Sequence, residues 1–124
     1  MEFNKFIEKI VELGIEACKR DYKRANQKAI LKGSIAGFKA CLGKNTQELT
    51  ELLENAREKS NKSYMEDRDN IDKHWFIRGF NLEIEWVCNV VSASLYNQGL
   101  STIINPTARG MMTAGKILGI KGIK

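Results

Sequence analysis

Apolar side chains in the first segment fall at Phe3, Phe6, Ile7, Ile10, Leu13, Gly14 and Ala17. That three-and-four spacing places them on one side of a helix. Glu2, Lys5, Glu8, Lys9, Glu12 and Glu16 fill the other side, so an amphipathic helix is predicted here. The helical pattern continues through residues 22–42. An unbroken helix over residues 2–42 would be about 60 Å long at about 1.5 Å per residue, longer than a domain of this size. The pattern therefore predicts a kink or break near Asp21. The alternative is a long arm that packs on a second subunit. Asp21 is placed to cap a new helix, although Lys23 and Arg24 would then oppose the macrodipole in its first turn.

Gly43 and Lys44 close this region. Asn45 and Glu48 have the spacing of a capping box and open a helix that buries Leu49, Leu52, Leu53 and Ala56. Residues 60–69 are polar and fit either a loop or an exposed extension of that helix. Residues 80–86 alternate apolar and polar as a half-buried strand does. A longer window decides for helix. His74, Arg78, Asn81, Glu85, Asn89 and Ser92 recur at steps of three and four. They draw one narrow polar stripe on a segment otherwise made of Trp75, Phe76, Leu82, Trp86, Val87, Val90, Val91 and Leu95. Such a helix is buried on most sides and ends near Gly99, a suitable C-cap. Asn105-Pro106 reads as N-cap and first position of a short final helix that runs to about Leu118. The predicted fold is all-α, a compact bundle of four to five helices, with residues 2–42 forming either one long kinked helix or two. Residues 1–118 are read as a single helical domain and residues 119–124 as a flexible basic tail.

Composition narrows the class. The chain has 124 residues, 43% hydrophobic and 28% charged, ordinary values for a folded domain. A chain of this length buries roughly two-thirds of its unfolded surface and needs neither disulfide nor metal for stability. Its three cysteines, Cys18, Cys41 and Cys88, stand far apart and do not form a secreted framework. Charges interrupt the apolar positions at the N-terminus, which is not the pattern of a signal peptide. A cytoplasmic location is the resulting expectation. Residues 86–108 carry no charge, but Asn89, Asn97, Gln98, Gly99, Asn105 and Pro106 interrupt them. A spanning helix needs about 20 predominantly apolar residues, so a core helix followed by a loop is expected and membrane is not an expected partner.

The net charge is +5, and its distribution says more than its size. Residues 17–44 hold eight Lys/Arg against one acid, and no acid follows Glu85. Arg20, Arg24, Lys28 and Lys32 are spaced at i, i+4 and would form one ridge on a continuous helix. Such a ridge can follow a phosphate backbone. It can equally be a solvated face, or pair with the acidic face of Glu48, Glu51, Glu54 and Glu58. Tyr22 is the one aromatic interleaved with it, a weak basis for nucleic-acid stacking. Ala25, Ala29, Gly33, Gly37 and Cys41 share the same spacing and make a small-residue face. Glycine inside a helix costs around 1 kcal/mol relative to alanine, so the two glycines call for a closely packed partner. That partner is either another helix of the chain, the commoner arrangement, or a second subunit.

Chemistry-bearing residues are sparse. Residues 110–116 match the start of a P-loop, but Ile117 stands where Ser or Thr would bind magnesium, and too little chain follows to complete a nucleotide-binding sheet. His74 and the three cysteines have no local pair of the kind structural zinc sites show. No metal and no cofactor are expected. Glu83 falls off the polar stripe among Trp86, Val87 and Val90, where a carboxylate is costly unless paired or protonated. An enzyme centred on Glu83 or His74 would need a pocket lined by both, or by one of them with a cation. The tail GKILGIKGIK suits an anionic surface or disorder, with disorder the default. The function expected from these features is non-enzymatic binding through protein–protein contacts. A homo-oligomer would form through Ala25, Ala29, Gly33 and Gly37. The alternative is nucleic-acid binding through Arg20, Arg24, Lys28 and Lys32.

Overall fold

The computed structural model describes residues 1–66 and 69–118. Five helices pack as an all-α bundle: α1 (Phe3–Asp21), α2 (Lys28–Ala40), α3 (Thr46–Glu66), α4 (Ile71–Asn97) and α5 (Ala108–Leu118). Residues 119–124, read above as a basic tail, lie outside the described residues.

Residues 2–42 form two helices and not one. Tyr22 leaves α1 at φ −103°, ψ 64°, and Arg24 is extended at φ −74°, ψ 148°. A single 3-10 turn, Ala25–Gln27, then leads into α2. Asp21 caps nothing: it is the last residue of α1. The turn is instead fixed by Gln27, whose Oε1 accepts the Arg24 N–H at 3.2 Å. The capping box at the start of α3 forms as the spacing predicts. Asn45 Oδ1 accepts the Glu48 N–H at 2.8 Å and Glu48 Oε1 accepts the Asn45 N–H at 3.1 Å. The polar stretch after residue 60 continues α3 as far as Glu66.

Helix α4 is the hub and touches each of the other four helices. Its contact with α2 is the most extensive, and glycines make it close. A Cβ on Gly37 would lie 2.6 Å from the Phe80 carbonyl oxygen, and one on Gly79 would lie 2.6 Å from that of Ile30. Gly33 sits against the Phe76 carbonyl in the same way. Gly33 faces Phe76 and Gly37 faces Phe80, so α2 and α4 run parallel, with α3 returning between them in sequence. Ile7, Ile10, Phe38, Leu49, Leu53, Ile84, Val87, Val90 and Val91 form the centre of the core. A buried aliphatic or aromatic side chain contributes about 1.5–3 kcal/mol relative to exposure.

Four of the six residues on the polar stripe of α4 bond to neighbouring elements, while Arg78 lies over Trp75 of its own helix and Asn81 Oδ1 is buried without a hydrogen-bond partner among the described residues. Ser63 Oγ of α3 lies 3.3 Å from His74 Nδ1. Arg57 Nε donates to Glu85 Oε1 at 2.6 Å. Ser92 Oγ accepts the N–H groups of Ile103 and Ile104, both at 3.1 Å. Asn89 Oδ1 accepts the Thr107 N–H at 3.0 Å and its Nδ2 donates to Thr107 Oγ1 at 3.1 Å. These last two bonds correct the expected start of α5. Asn105 is not its N-cap. Thr107 is held in place by Asn89, and its Oγ1 accepts the Gly110 N–H at 3.1 Å, so α5 begins at Ala108 and Pro106 precedes it. Gly99, at φ +72°, closes α4 as expected of a C-cap glycine. Among the described residues no helix is long and apolar enough to cross a membrane.

Candidate functional site

The basic ridge predicted from spacing is divided by the break after α1. Arg20 lies in the last turn of α1, exposed, 3.6 Å from Asp21. Arg24 precedes the 3-10 turn, while Lys28 and Lys32 stand on the first turns of α2. All four side chains are exposed, and among the described residues none pairs with Glu48, Glu51, Glu54 or Glu58. Lys28 and Lys32 meet Phe76, Asp72 and Lys73 of α4 around a shallow cleft of about 500 Å³ that Ala25, Asn26 and Ala29 complete. The fold thus sets beside Lys28 and Lys32 an exposed aromatic ring that their own stretch of sequence lacks. The small-residue face is used inside the chain. Gly33 and Gly37 are buried against the α4 backbone, while Ala25 is exposed and Ala29 partly so.

A second surface was not legible as a unit in the sequence. Ile71, Trp75, Arg78 and Leu82 fall on one stripe of α4, and Tyr64 at the end of α3 meets His74 beside it. Ile71 is 63% exposed, Trp75 40%, Leu82 39%, Tyr64 65% and Met65 64%, high values for side chains of this size. Ring contacts join the two helices. Tyr64 and His74 have centroids 6.1 Å apart, His74 and Trp75 5.9 Å, and the Arg78 guanidinium lies 5.7 Å over the Trp75 ring. The spacing of Ile71, Trp75 and Leu82 was present in the sequence. Their shared exposure was hidden because the segment reads as apolar nearly all round.

The third feature is a cleft of about 430 Å³ where α1, α2, α4 and α5 meet. Glu83 is set into it half-buried, with Cys18 Sγ donating to its Oε2 at 2.9 Å. Tyr22, Asp21 and Ala17 come from α1 and its end, Gly14 and Phe38 form one side, Leu82 and Trp86 the other, and Arg109 lies at the α5 side. Loss of hydration pushes the Glu83 carboxyl above the usual carboxylate range, while the bond from Cys18 pulls in the opposite direction. Burial and then the neighbouring Glu83 push the Cys18 thiol up to about 12. Its reactive thiolate form is therefore suppressed near neutral pH. Tyr22 is raised as well, by burial first and then by Glu83. The pocket expected of an enzymatic centre, Glu83 with a cation, is present in outline. His74 is not part of it and serves the α3–α4 seam. Among the described residues no group of three or more His, Cys, Asp or Glu is placed to hold a metal ion. Cys41 and Cys88 are buried free thiols, also pushed up to about 12 by burial.

The P-loop-like stretch lies within α5, where Gly110 packs against Asn89 and Gly115 is buried. Its glycines serve helix packing. No family model, no curated protein and no solved structure matches the chain.

Proposed function

We propose that the chain is a non-enzymatic interaction protein that binds another protein through the exposed face of α4. The supporting observation is the exposed stripe of Ile71, Trp75, Arg78 and Leu82, joined through His74 to Tyr64. Large apolar side chains normally scatter singly over a surface, and a contiguous group of them marks a contact site. Trp, Tyr, Met and Arg are the types that interfaces concentrate, and Trp, Tyr and Arg carry most of the binding energy there. Arg78 on this stripe, with Lys28 and Lys32 at the same end of the bundle, favours a partner segment that is apolar with an acidic flank. Within the small-residue face, Gly33 and Gly37 pack on the α4 backbone, which makes the exposed stripe of α4 the better-supported contact surface.

A photo-crosslinking residue placed at Ile71 in the expressing cell tests the reading. The expected result is one discrete protein adduct that disappears when Trp75→Asp is added, with none from the same residue placed at Lys5 on α1. An adduct of twice the chain's mass identifies the partner as a second copy. Failure to form an adduct at Ile71, or an adduct indifferent to Trp75→Asp, refutes the assignment. Trp75→Ala is expected to weaken the complex by about 2 kcal/mol or more, as interface tryptophans commonly do.

A second reading, nucleic-acid binding, is favoured by the cleft that joins Lys28 and Lys32 to Phe76. It supplies a cationic track and a stacking ring together. Of the four ridge cations, Lys28 and Lys32 line this cleft. Affinity for a mixed-sequence duplex or single strand should then fall with salt at a slope of about two charges. Reversing the charge of Lys28 and Lys32 should abolish it. Binding that survives the reversal removes this reading.

A further inference from the structure

The cleft at Glu83 carries an inference independent of the α4 face. A carboxylate set into a protein wall is normally matched by a cation or by several hydrogen-bond donors. Glu83 makes no ion pair among the described residues, and the one side-chain bond it receives is from a weak thiol donor, Cys18 at 2.9 Å. The groups that face it leave this deficit in place. From α1 they are Cys18, Asp21 and Tyr22, from α2 the Phe38 ring, from α4 Leu82 and Trp86, and from α5 Arg109. Arg109 and Asp21 are exposed, where water screens their charges, and Asp21 already lies 3.6 Å from Arg20. The small side chain of Ala17 lines the space, while the Phe38 ring covers Gly14. Three aromatic rings, Tyr22, Phe38 and Trp86, line the space. A carboxylate with no ion-pair partner among the described residues, beside aromatic side chains, lines a space of about 430 Å³, within the size range of small-molecule sites. It also matches the chemistry that holds organic cations, charge pairing combined with attraction to ring faces.

We infer that this cleft binds a small organic amine, its apolar body against Tyr22, Phe38 and Trp86 and its ammonium group donating to Glu83. The ammonium supplies the ion-pair partner that Glu83 lacks among the described residues. Binding converts Glu83 to its ionised form, so at pH values where the empty site is partly protonated a proton is released on binding. A carboxylate ligand would instead meet Arg109 and be repelled by Glu83 and Asp21.

Benzylamine is the probe, with benzyl alcohol and benzoate as its neutral and anionic counterparts. The protein carries two tryptophans, so a Trp75→Phe background leaves Trp86 as the reporter. Expected are saturable benzylamine binding with a change in Trp86 emission, and at least tenfold weaker binding of benzyl alcohol. Glu83→Gln should weaken benzylamine binding at least tenfold with an unchanged circular dichroism spectrum. Ala17→Leu fills the cleft without touching Glu83 and should abolish binding. Calorimetry in buffers of different ionisation heat should report proton release that Glu83→Gln eliminates. Absence of saturable binding overturns the inference. So does benzoate binding as tightly as benzylamine, or benzylamine binding unaffected by Glu83→Gln or by Ala17→Leu.

Discussion

Gly37→Ala tests the backbone contact on which the bundle is built. The new methyl carbon would lie 2.6 Å from the Phe80 carbonyl oxygen and 3.1 Å from its Cα. Carbon–oxygen contacts at helix crossings settle at about 3.3 Å or more, so α2 and α4 must separate by about 0.7 Å. The obstacle is backbone, which cannot rotate aside as a side chain can. Overpacking against an obstacle that cannot move aside falls in the upper part of the usual range, about 2–3 kcal/mol. Alanine's helix propensity returns about 1 kcal/mol of that, leaving a net loss of about 1–2 kcal/mol. For a domain of this length each kcal/mol moves the melting temperature by about 3–6 °C. The expected fall is therefore about 3–12 °C, read by calorimetry or by circular dichroism on heating. Gly33→Ala should lose more, because Gly33 sits closer to the Phe76 carbonyl. Gly43→Ala is the comparison: nothing lies within 4 Å of its Cβ position, and its φ is +72°. Its cost of about 1 kcal/mol comes from the left-handed backbone alone, and Gly43→Asn should recover part of it. A Gly37→Ala protein as stable as the parent, or more so, would refute the close crossing and return the small-residue face to the surface.

Glu83→Gln should raise stability at neutral and alkaline pH. The folded-state pKa of Glu83 lies above its unfolded value, so its contribution is fully present below the unfolded pKa and is lost as pH rises through the folded one. Melts of the two proteins should differ at pH 8 and converge as pH falls below the ordinary carboxylate range. Asn89→Ala should loosen α5 by removing its bonds to Thr107, at a cost of about 1–3 kcal/mol. Faster hydrogen exchange in residues 107–118 with little change in α3 checks this. A double-mutant cycle on Arg57 and Glu85 should give a coupling of about 0.2–1 kcal/mol that shrinks with salt, since the side chains are 47% and 35% exposed. All three thiols should resist iodoacetamide in the native protein and react after denaturation. Native-state labelling of Cys18 at the rate of a free thiol would contradict its buried bond to Glu83.

Local features were the most legible in the sequence. The capping box of Asn45 and Glu48, the C-cap at Gly99 and the whole of α4 follow from short-range spacing, and the structure forms them. Gly33 and Gly37 declared a close contact because mid-helix glycine is costly without one. Their partner, Phe76 to Phe80, could not be read, since it lies across α3. The basic ridge was a casualty of the same locality. Spacing at i, i+4 defines a face only while the helix is continuous, and residues 22–24 leave helical geometry between Arg20 and Lys28. The start of α5 moved from Asn105-Pro106 to Thr107 because a side chain from α4, Asn89, outbids local propensity. At the Glu83 cleft the sequence showed a misplaced carboxylate. Its bond comes from Cys18, 65 residues away in the chain, which periodicity along one helix cannot reveal.

The parallel crossing of α2 and α4 also dictates when the molecule can assemble. During synthesis α1 and α2 emerge before α4, and although α1 packs chiefly on α2, the glycine face of α2 requires a surface that lies on α4. A hairpin between neighbouring helices cannot provide it, because parallel helices need the intervening α3 to be made and turned back. The amino-terminal half therefore leaves the ribosome with its core incomplete, and completion waits for residues near Phe76 and Phe80 to clear the exit tunnel. Codon-level pausing shortly after α3 would prolong that exposed interval, whereas pausing after α4 would leave it untouched.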